Sequence, residues 1–220
     1  MQQLKNKKIL ITAGPTWIPI DNVRVITNVF KGTLGSIIAE EATKRKAKVT
    51  LLLGPGPVCL FRKIPRNLRI IKFKFFEELY KLMKKEISSR EYNVVIHSAA
   101  VGDYMPIKFY KGKIKSGREK LLLRLKPTIK IVDRIKKWDP NILLVKFKVE
   151  ANLQKRELIE RAYKSMLDSN ADLMVANDLR DIKDKGHKAF IINSKKEIIV
   201  CKTKKEIAKN LLNIISKYLH

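Results

Sequence analysis

The stretch K-I-L-I-T-A, Lys8–Ala13, decides the fold, because it is a short apolar run that ends at a loop rich in glycine and proline. That loop, Gly14–Gly35, leads into Leu34–Lys46, where apolar residues recur at helical spacing. A second apolar run, Val49–Leu53, follows and stops at a Gly-Pro repeat. Strand, loop, helix and strand in this order are typical of a parallel sheet whose strands are buried on both faces.

The same alternation continues along most of the chain and predicts an α/β fold, a Rossmann-like three-layer architecture around a mainly parallel sheet. No linker or internal repeat divides residues 1–220, so we expect a single domain. A basic, turn-rich segment at about 104–125 predicts a protruding flap, and the tail predicts a C-terminal hairpin before a helix that Thr203 and Glu206 cap. The other predicted strands are Leu68–Phe73, Asn93–Ala99, Ile142–Phe147, Ala171–Ala176, His187–Asn193 and Glu197–Cys201, and the other predicted helices are Phe75–Ile87, Ile129–Lys137, Leu153–Leu167 and Lys204–Tyr218.

The chain is strongly basic, with 48 Lys and Arg against 21 Asp and Glu, a net charge of +27. Such a charge attracts nucleic acid, acidic membranes or phosphorylated metabolites. The lysines are spread over the whole length and are not interleaved with aromatic residues, so we expect no specific nucleic-acid partner. No apolar run is long enough for a signal peptide or a membrane span, and we expect a cytoplasmic protein with no membrane partner.

Cysteine and histidine give no metal signature. The two cysteines and three histidines lie far apart and outside any ligand-like spacing, so we expect reduced thiols and no metal bound by protein ligands. The residues are Cys59, Cys201, His97, His187 and His220.

Three loops at the predicted carboxyl edge of the sheet carry unusual residues, and ligands of such sheets bind at that edge. The first is Gly14–Gly35, whose glycines and following helix start suit an anion, although its spacing is neither a dinucleotide motif nor a Walker loop. The second holds Asp103, which could accept hydrogen bonds from ribose or simply form a turn. The third is Ala176-Asn177-Asp178, by itself a turn signal.

Three lysines of the flap, Lys111, Lys113 and Lys115, alternate as if they shared one face of a strand. Two interpretations stay open. The lysines could form a mobile cationic lid for phosphoanhydride chemistry, or a solvated edge that resists aggregation.

Together these segments resemble phosphopantothenate–cysteine ligase, an enzyme family of coenzyme A biosynthesis. The matching pieces run in the family's order over nearly the whole chain. They are Ile11–Thr16 (I-T-A-G-P-T), Ile20–Asn28 (I-D-x-V-R-x-I-T-N), Gly32–Gly35 (G-T-L-G), Ala99–Tyr104 (A-A-V-G-D-Y), Gly112–Lys115 (G-K-I-K), Phe147 with Glu150, and Ala171–Asp178 (A-D-L-M-V-A-N-D).

The resemblance implies a two-step reaction in a homodimer. The carboxylate of 4′-phosphopantothenate attacks the α-phosphate of CTP or ATP, pyrophosphate leaves, and the amine of cysteine then attacks the acyl-nucleotide. It also implies Mg²⁺ with the nucleotide, and a flap of one subunit that closes the site of the other. No flavin-dependent decarboxylase half precedes Met1, so we expect the stand-alone form of the ligase.

The resemblance also implies roles for single residues. Lys113 would stabilise charge as the acyl-nucleotide forms, and Asn28 would hold its carbonyl for attack by cysteine. Arg24 would lie near the phosphopantothenate. The expected nucleotide-binding residues are Gly14, Ala100, Asp103 on the ribose, Lys113, Phe147 at the base and Lys164 on the triphosphate, with Ala100 also near the substrate.

The sequence departs from the family's pattern around the nucleotide, at Trp17, Phe30, Lys31, Lys146 and Asp168. Lys146 stands where a glycine is usual, and Asp168 stands at or beside the position of a second helix lysine. An alternative hypothesis is therefore a diverged nucleotide- or RNA-binding protein of the same fold without turnover. The choice between CTP and ATP, the rate and the decarboxylase that acts next stay open, whereas the glycine spacing excludes an NAD(P)-dependent reductase.

Overall fold

The computed structural model describes residues 4–56, 61, 63–117, 119–183 and 186–219. Cys59 and His220, which the sequence analysis weighed as metal ligands, lie outside these residues. The strands are β1 (Lys8–Ala13), β2 (Ile18–Pro19), β3 (Val25–Ile26), β4 (Lys48–Leu53), β5 (Leu68–Lys72), β6 (Val94–His97), β7 (Tyr104–Pro106), β8 (Leu125–Pro127), β9 (Leu143–Glu150), β10 (Leu173–Asp178), β11 (Ala189–Asn193) and β12 (Ile198–Cys201). The α-helices are α1 (Thr33–Lys44), α2 (Phe76–Ser88), α3 (Val132–Trp138), α4 (Lys155–Asp168) and α5 (Lys204–Tyr218), and a 3₁₀ turn covers Leu179–Asp181.

A central sheet of eight strands has the order β12-β11-β10-β9-β6-β1-β4-β5. The pairs from β10 to β5 are parallel, and β11 and β12 add an antiparallel hairpin at one edge. This arrangement confirms the predicted α/β fold with its mainly parallel sheet and C-terminal hairpin.

Helices cover both faces of the sheet, which explains why its inner strands read as unbroken apolar runs. Ile9, Leu10 and Ile11 follow one another in β1 and are all fully buried, because successive side chains point to opposite faces. One face packs against α1 and α5, and the other packs against α2, α3 and α4.

The chain order creates a crevice between β1 and β6. From β1 the chain builds outward through β4 and β5, and it then returns to β6 on the other side of β1. At such a switch point the two following loops diverge and leave room for a ligand at the carboxyl ends of the strands.

Several boundaries differ from the prediction near this crevice. Strand β9 runs on to Glu150 and β10 to Asp178, beyond their apolar segments, because neighbouring strands continue to pair with them. Helix α3 begins at Val132 and not at Ile129. Residues 129–131 instead lie ahead of the helix and line the crevice.

The last helix begins as predicted. The Thr203 hydroxyl accepts a hydrogen bond from the Glu206 amide at 3.1 Å, and the Glu206 carboxylate accepts one from the Lys202 amide at 2.8 Å. None of the helices in the described part of the chain has the length and apolar character that crossing a membrane requires.

The flap stands on a hairpin of β7 and β8, where Tyr104 pairs with Pro127 and Pro106 with Leu125. The predicted strand through Lys111, Lys113 and Lys115 is wrong, since these residues form no sheet ladder. All three lysines are exposed, whereas Ile114 between them is buried against the loop after β2. The lysines alternate here because the one apolar residue between them is anchored, and not because the segment is a pleated strand.

Candidate functional site

A cleft of about 1080 Å³ lies over the carboxyl ends of β1, β6, β9 and β10. The loops that follow these strands form its walls, together with residues 128–131 ahead of α3, the start of α3 and the start of α5. The position agrees with the crevice that the strand order predicts.

Closely packed glycines shape the wall after β1. Gly32, at a φ of 78°, caps α1 without a side-chain hydrogen bond, and a Cβ there would lie 2.5 Å from the Gly14 nitrogen. A Cβ at Gly35 would lie 2.5 Å from the Ser98 hydroxyl and 2.7 Å from the Ala13 Cβ. Only glycine lets the start of α1 approach β1 and β6 so closely. The first turn of α1 therefore opens onto the cleft, where backbone N–H groups favour an anion.

Asn28 joins this wall to the loop after β6. Its Nδ2 donates to the carbonyl oxygens of Ala100 and Val101, each at 3.1 Å. The Ala100 amide donates to the Gly14 carbonyl at 3.0 Å, so the predicted residues Gly14, Asn28 and Ala100 lie side by side.

Two further predicted residues line the same cleft. Asp103 lies in the loop after β6, and its carbonyl accepts a hydrogen bond from the Thr128 amide at 2.8 Å. Phe147 of β9 is half-buried and packs against the core on the α1 and α5 face. The fold thus gathers five predicted site residues from three separate segments, and their individual roles stay predictions.

Arg24 and Lys113 do not line this cleft. The Arg24 guanidinium lies 2.9 Å from the Asp21 carboxylate and donates to the Ile114 carbonyl at 3.2 Å. Lys113, next to Ile114, is exposed on the flap. Arg24 belongs to the contact between the flap and the β2–β3 loop, and Lys113 is the sequence neighbour of Ile114 in that contact.

Asp21 is the centre of that contact. Its buried carboxylate accepts hydrogen bonds from the amides of Ile114 at 3.0 Å, Val23 at 2.8 Å and Arg24 at 2.7 Å, as well as from the Arg24 side chain. The amide of Ile114, above all, lowers the pKa of Asp21 to about 2, although burial opposes this. The flap is therefore held by a carboxylate that stays ionised throughout the physiological range.

Lys164 also lies outside the cleft, exposed on α4. A different group of lysines, Lys130, Lys146 and Lys148, lines the wall between α3 and α4, and we call it the lysine group. Lys146 Nζ donates to the Ser165 carbonyl at 2.8 Å and the Ser169 hydroxyl at 3.1 Å. Burial lowers the pKa of Lys146, and Lys148 and Lys130 nearby lower it further.

The sequence analysis named Lys146 only as a departure and missed Lys130 and Lys148. The spacing K-F-K was the available signal, because alternation in a strand puts Lys146 and Lys148 on one face and Phe147 on the other.

Carboxylates are scarce in the cleft. Glu150 lies 3.1 Å from Lys148, and Asp103 has no ion pair or hydrogen bond to its carboxylate among the described residues. The residues that the structure describes contain no group of three or more His, Cys, Asp or Glu side chains that could hold a metal ion.

Two histidines line the cleft as well, a role that the sequence analysis did not foresee. His97 is buried at the end of β6 with its Nδ1 3.0 Å from the Thr12 hydroxyl, and burial lowers its pKa to about 4. His187 is 6% exposed, and neither of its ring nitrogens has a hydrogen-bond partner among the described residues. Burial, followed by the charge of Lys204, lowers the pKa of His187 to about 4.

Known proteins resemble this chain over almost its whole length. It is 37% identical over 221 residues to the coenzyme A biosynthesis bifunctional protein CoaBC of Thermococcus kodakarensis, covering 99% of this chain and 53% of that protein. The CoaBC protein of Borreliella burgdorferi is 33% identical, with 96% and 53% covered. The chain thus spans about half the length of these curated relatives.

Solved structures give the same result. The DNA/pantothenate metabolism flavoprotein from Streptococcus pneumoniae superposes with a TM-score of 0.88 at 33% identity, covering 96% of this chain and 99% of that one. The model of one protein family matches residues 4–219. The chain therefore belongs to the family of the DNA/pantothenate metabolism flavoprotein C-terminal domain.

Proposed function

We propose that this chain joins 4′-phosphopantothenate to cysteine through an acyl-nucleotide, giving 4′-phosphopantothenoylcysteine for coenzyme A biosynthesis. The observation that carries the proposal is the cleft itself, in which Asn28, Asp103 and the lysine group surround one space at the switch point of the sheet. Family membership supports it, and so does the role in coenzyme A biosynthesis for which the CoaBC relatives are named. We also propose that the reaction takes place in the cytoplasm.

The nucleotide would lie across the ends of β6 and β9. The three ammonium groups of the lysine group lie along one wall of the cleft. Among the described residues, Glu150 is the only acidic one that pairs with them. Such an excess of positive charge suits a triphosphate. Asp103 would accept from the ribose hydroxyls, and the ring of Phe147 offers a face for the base of CTP or ATP.

Mg²⁺ would come with the nucleotide. Mg²⁺ in such sites keeps several waters and is held largely by phosphate oxygens with one or two carboxylates. The cleft fits a metal held largely by phosphate oxygens, because its lining has only two carboxylates among the described residues, Asp103 and Glu150, and Glu150 lies 3.1 Å from Lys148. When bound, the ion would neutralise charge on the phosphates.

In the first step, a carboxylate oxygen of phosphopantothenate attacks the α-phosphorus and the bond to pyrophosphate breaks. Lys113 would neutralise the charge that builds up on the phosphate oxygens. In the second step, the cysteine amine attacks the acyl carbon and the nucleoside monophosphate leaves. The resemblance assigns the acyl carbonyl to Asn28, whose Nδ2 already donates to two backbone carbonyls. Asn28 would therefore release one of these bonds when it binds the intermediate.

We propose a homodimer in which the flap of one protomer reaches the cleft of the other. Lys113 does not line the cleft of its own chain, which supports this arrangement. Apolar side chains also crowd the surface of the flap, where Leu122 is 84% exposed and Ile107 58%. Several exposed large apolar residues on one short segment of chain favour an interface.

Turnover tests the proposal directly. The protein is incubated with phosphopantothenate, cysteine, Mg²⁺ and either CTP or ATP, and pyrophosphate release is measured. Release from neither nucleotide would contradict the ligase and favour a binding protein of the same fold. Asn28→Ala should accumulate the acyl-nucleotide, whereas Lys113→Ala should form none.

Mixing these two variants tests the dimer. If Lys113 acts in the partner's cleft, a mixed dimer keeps one site with both Asn28 and Lys113 intact. Activity should then return to about a quarter of wild type after equilibration, because half of the dimers are mixed and each has one complete site. No recovery from stable, mixed dimers would contradict the shared site.

A further inference from the structure

Two polar side chains that the proposed reaction does not use form a pair beneath the loop after β6. Thr12, near the end of β1, is fully buried, and His97, the last residue of β6, is 8% exposed. The two residues are in register across the parallel strands, and Thr12 Oγ1 lies 3.0 Å from His97 Nδ1. Buried polar groups are kept where hydrogen bonds satisfy them, so the partners of this pair show which part of the cleft it supports.

The direction of each hydrogen bond in this pair follows from its donors. The Ala99 amide donates to Thr12 Oγ1 at 3.0 Å, so this oxygen is an acceptor there. The hydroxyl hydrogen of Thr12 then needs an acceptor of its own, and His97 Nδ1 is the one that the hydrogen bonds of the described residues provide. If Nδ1 donated instead, the hydroxyl hydrogen would be buried without a partner, which native structures avoid. Nδ1 therefore accepts, and Nε2 carries the ring proton.

This arrangement requires a neutral imidazole, because only a neutral ring leaves one nitrogen free to accept. Burial, followed by the charge of Lys146, lowers the pKa of His97 to about 4. Lys146 lies opposite His97 in the register between β6 and β9. The ring is therefore neutral at physiological pH, and the neighbouring lysine helps to keep Nδ1 an acceptor.

The pair holds the loop that contacts Asn28. The Ala99 amide is bound to Thr12, and the next residue, Ala100, accepts a hydrogen bond from Asn28 Nδ2 and donates one to the Gly14 carbonyl. Since both alanines have only a methyl side chain, the hydrogen bonds to their backbone largely set where their carbonyl groups point. The Thr12 hydroxyl thus fixes the loop one residue before the carbonyl that Asn28 binds.

We propose that Thr12 and His97 are positioning residues that hold Asn28 in place for the second step of the reaction. This inference rests on the proposed function, in which Asn28 holds the acyl carbonyl. His97 Nδ1 orients the Thr12 hydroxyl, and the hydroxyl orients the Ala99 amide. The two carbonyl groups that follow then hold Asn28 Nδ2. Thr12 does not line the cleft, so it acts through these contacts and not on a ligand.

Two pairs of variants separate the polar contacts from packing. Thr12→Val removes the hydroxyl and nearly keeps the shape of the side chain, whereas Thr12→Ser keeps the hydroxyl. His97→Leu removes the acceptor, whereas His97→Asn retains one in its Oδ1. Thr50→Val is the matched control. Thr50 is a buried threonine of the neighbouring strand β4, its hydroxyl accepts from Tyr92 at 2.9 Å, and neither residue lines the cleft.

The two steps of the reaction are measured separately. Formation of the acyl-nucleotide is followed without cysteine, and its decay is followed after cysteine is added. Thr12→Val and His97→Leu should slow the decay about tenfold, the equivalent of one lost hydrogen bond, and leave the formation nearly unchanged. Thr12→Ser and His97→Asn should recover most of the decay rate. Thr50→Val should lower the Tm about as much as Thr12→Val and change neither rate.

A double variant tests whether the pair acts through Asn28. Asn28→Ala combined with Thr12→Val should be no slower in the decay than Asn28→Ala alone, because both changes remove the same interaction.

Amide hydrogen exchange, measured by NMR, tests the contacts without turnover. The backbone amide of Ala99 and the side-chain amide of Asn28 should exchange faster in Thr12→Val and in His97→Leu, whereas amides in the middle of β1 should keep their protection.

The proposal is overturned if Thr12→Val slows both steps equally, or if Thr50→Val slows the decay as much, since either result indicates a general loss of stability. It is also overturned if Ala99 and Asn28 exchange at the wild-type rate in the folded variants. If Thr12→Val fails to fold, His97→Leu takes its place in each comparison. A wild type that forms no acyl-nucleotide would refute the proposed function, whereas faster exchange at Asn28 in the variants would still support its positioning by this pair.

Discussion

Replacing Lys146 by methionine tests whether the polyphosphate lies between α3 and α4. Lys146 Nζ already has two acceptors, Ser165 O and Ser169 Oγ, so one N–H is left for a phosphate oxygen. A hydrogen bond to a charged group contributes about 1.5–3 kcal/mol. Its loss should raise the KM for the nucleotide roughly 10- to 150-fold.

The fold should tolerate this change. Methionine has nearly the length of lysine, and the Ser169 hydroxyl still donates to the Ser165 carbonyl at 3.0 Å after the ammonium is gone. The Tm should therefore stay close to that of the wild type, and circular dichroism melting checks this before the kinetics are compared.

Lys164→Met is the matched control. The family resemblance predicts that Lys164 binds the triphosphate, whereas the position of Lys146 in the cleft lining favours Lys146. Initial rates of pyrophosphate release at varied nucleotide concentration give KM for both variants. An unchanged KM in Lys146→Met, or an equal or larger rise in Lys164→Met, would refute the assignment.

The same lysine predicts a pH dependence. The protonated ammonium binds phosphate, and burial puts its pKa below the 10.5 that is usual for lysine. Nucleotide affinity should therefore fall as the pH rises, at a lower pH than for an exposed lysine, and this step should disappear in Lys146→Met. Isothermal titration between neutral and alkaline pH measures it.

Three further predictions concern the framework of the site. Gly35→Ala puts a methyl group 2.5 Å from Ser98 Oγ and should destabilise the fold by about 1–3 kcal/mol, whereas Gly186→Ala, with open space around its Cβ, should leave the Tm unchanged. Asp21→Asn should free the flap without unfolding the sheet, seen as faster tryptic cleavage within 104–125 at an unchanged Tm. In wild type the pKa of Asp21 lies near 2, so Asp21 anchors the flap fully above about pH 4 and releases it as the pH falls through 2. The rate at which pepsin cleaves the flap should therefore rise over this range. A cleavage rate that does not change with pH would contradict the prediction. Cys201 is buried with a raised pKa and should resist thiol reagents until the protein unfolds, which peptide mass mapping checks at that residue.

Sequence reasoning predicted the sheet well because each strand carries its own signal. Lys8–Ala13 and the runs like it are short, apolar and bounded by glycine or proline, and burial on both faces requires such runs. Because the carboxyl ends of parallel strands share one edge of the sheet, the alternation of strands and helices also predicted that Gly14, Ala100 and Asp103 lie at that edge.

Other parts of the site have no local signal. The three flap lysines alternate like strand residues, yet the backbone of Ile114 pairs with Asp21 and Arg24, which lie 93 and 90 positions earlier in the chain. The environment of Lys146 depends on Ser165 and Ser169 of α4, which sequence spacing cannot connect to β9. Contacts of this kind become visible only when distant segments are packed together.

Asp21 has a consequence for protein engineering. It holds the flap through Ile114, and it belongs to the same loop that leads to Asn28. A flap transplanted from a relative would therefore bring its own partner for this carboxylate or would lose its attachment. A chimera should exchange residues 20–24 and 104–127 as one unit, and a swap of the flap alone should yield a folded sheet with a detached lid.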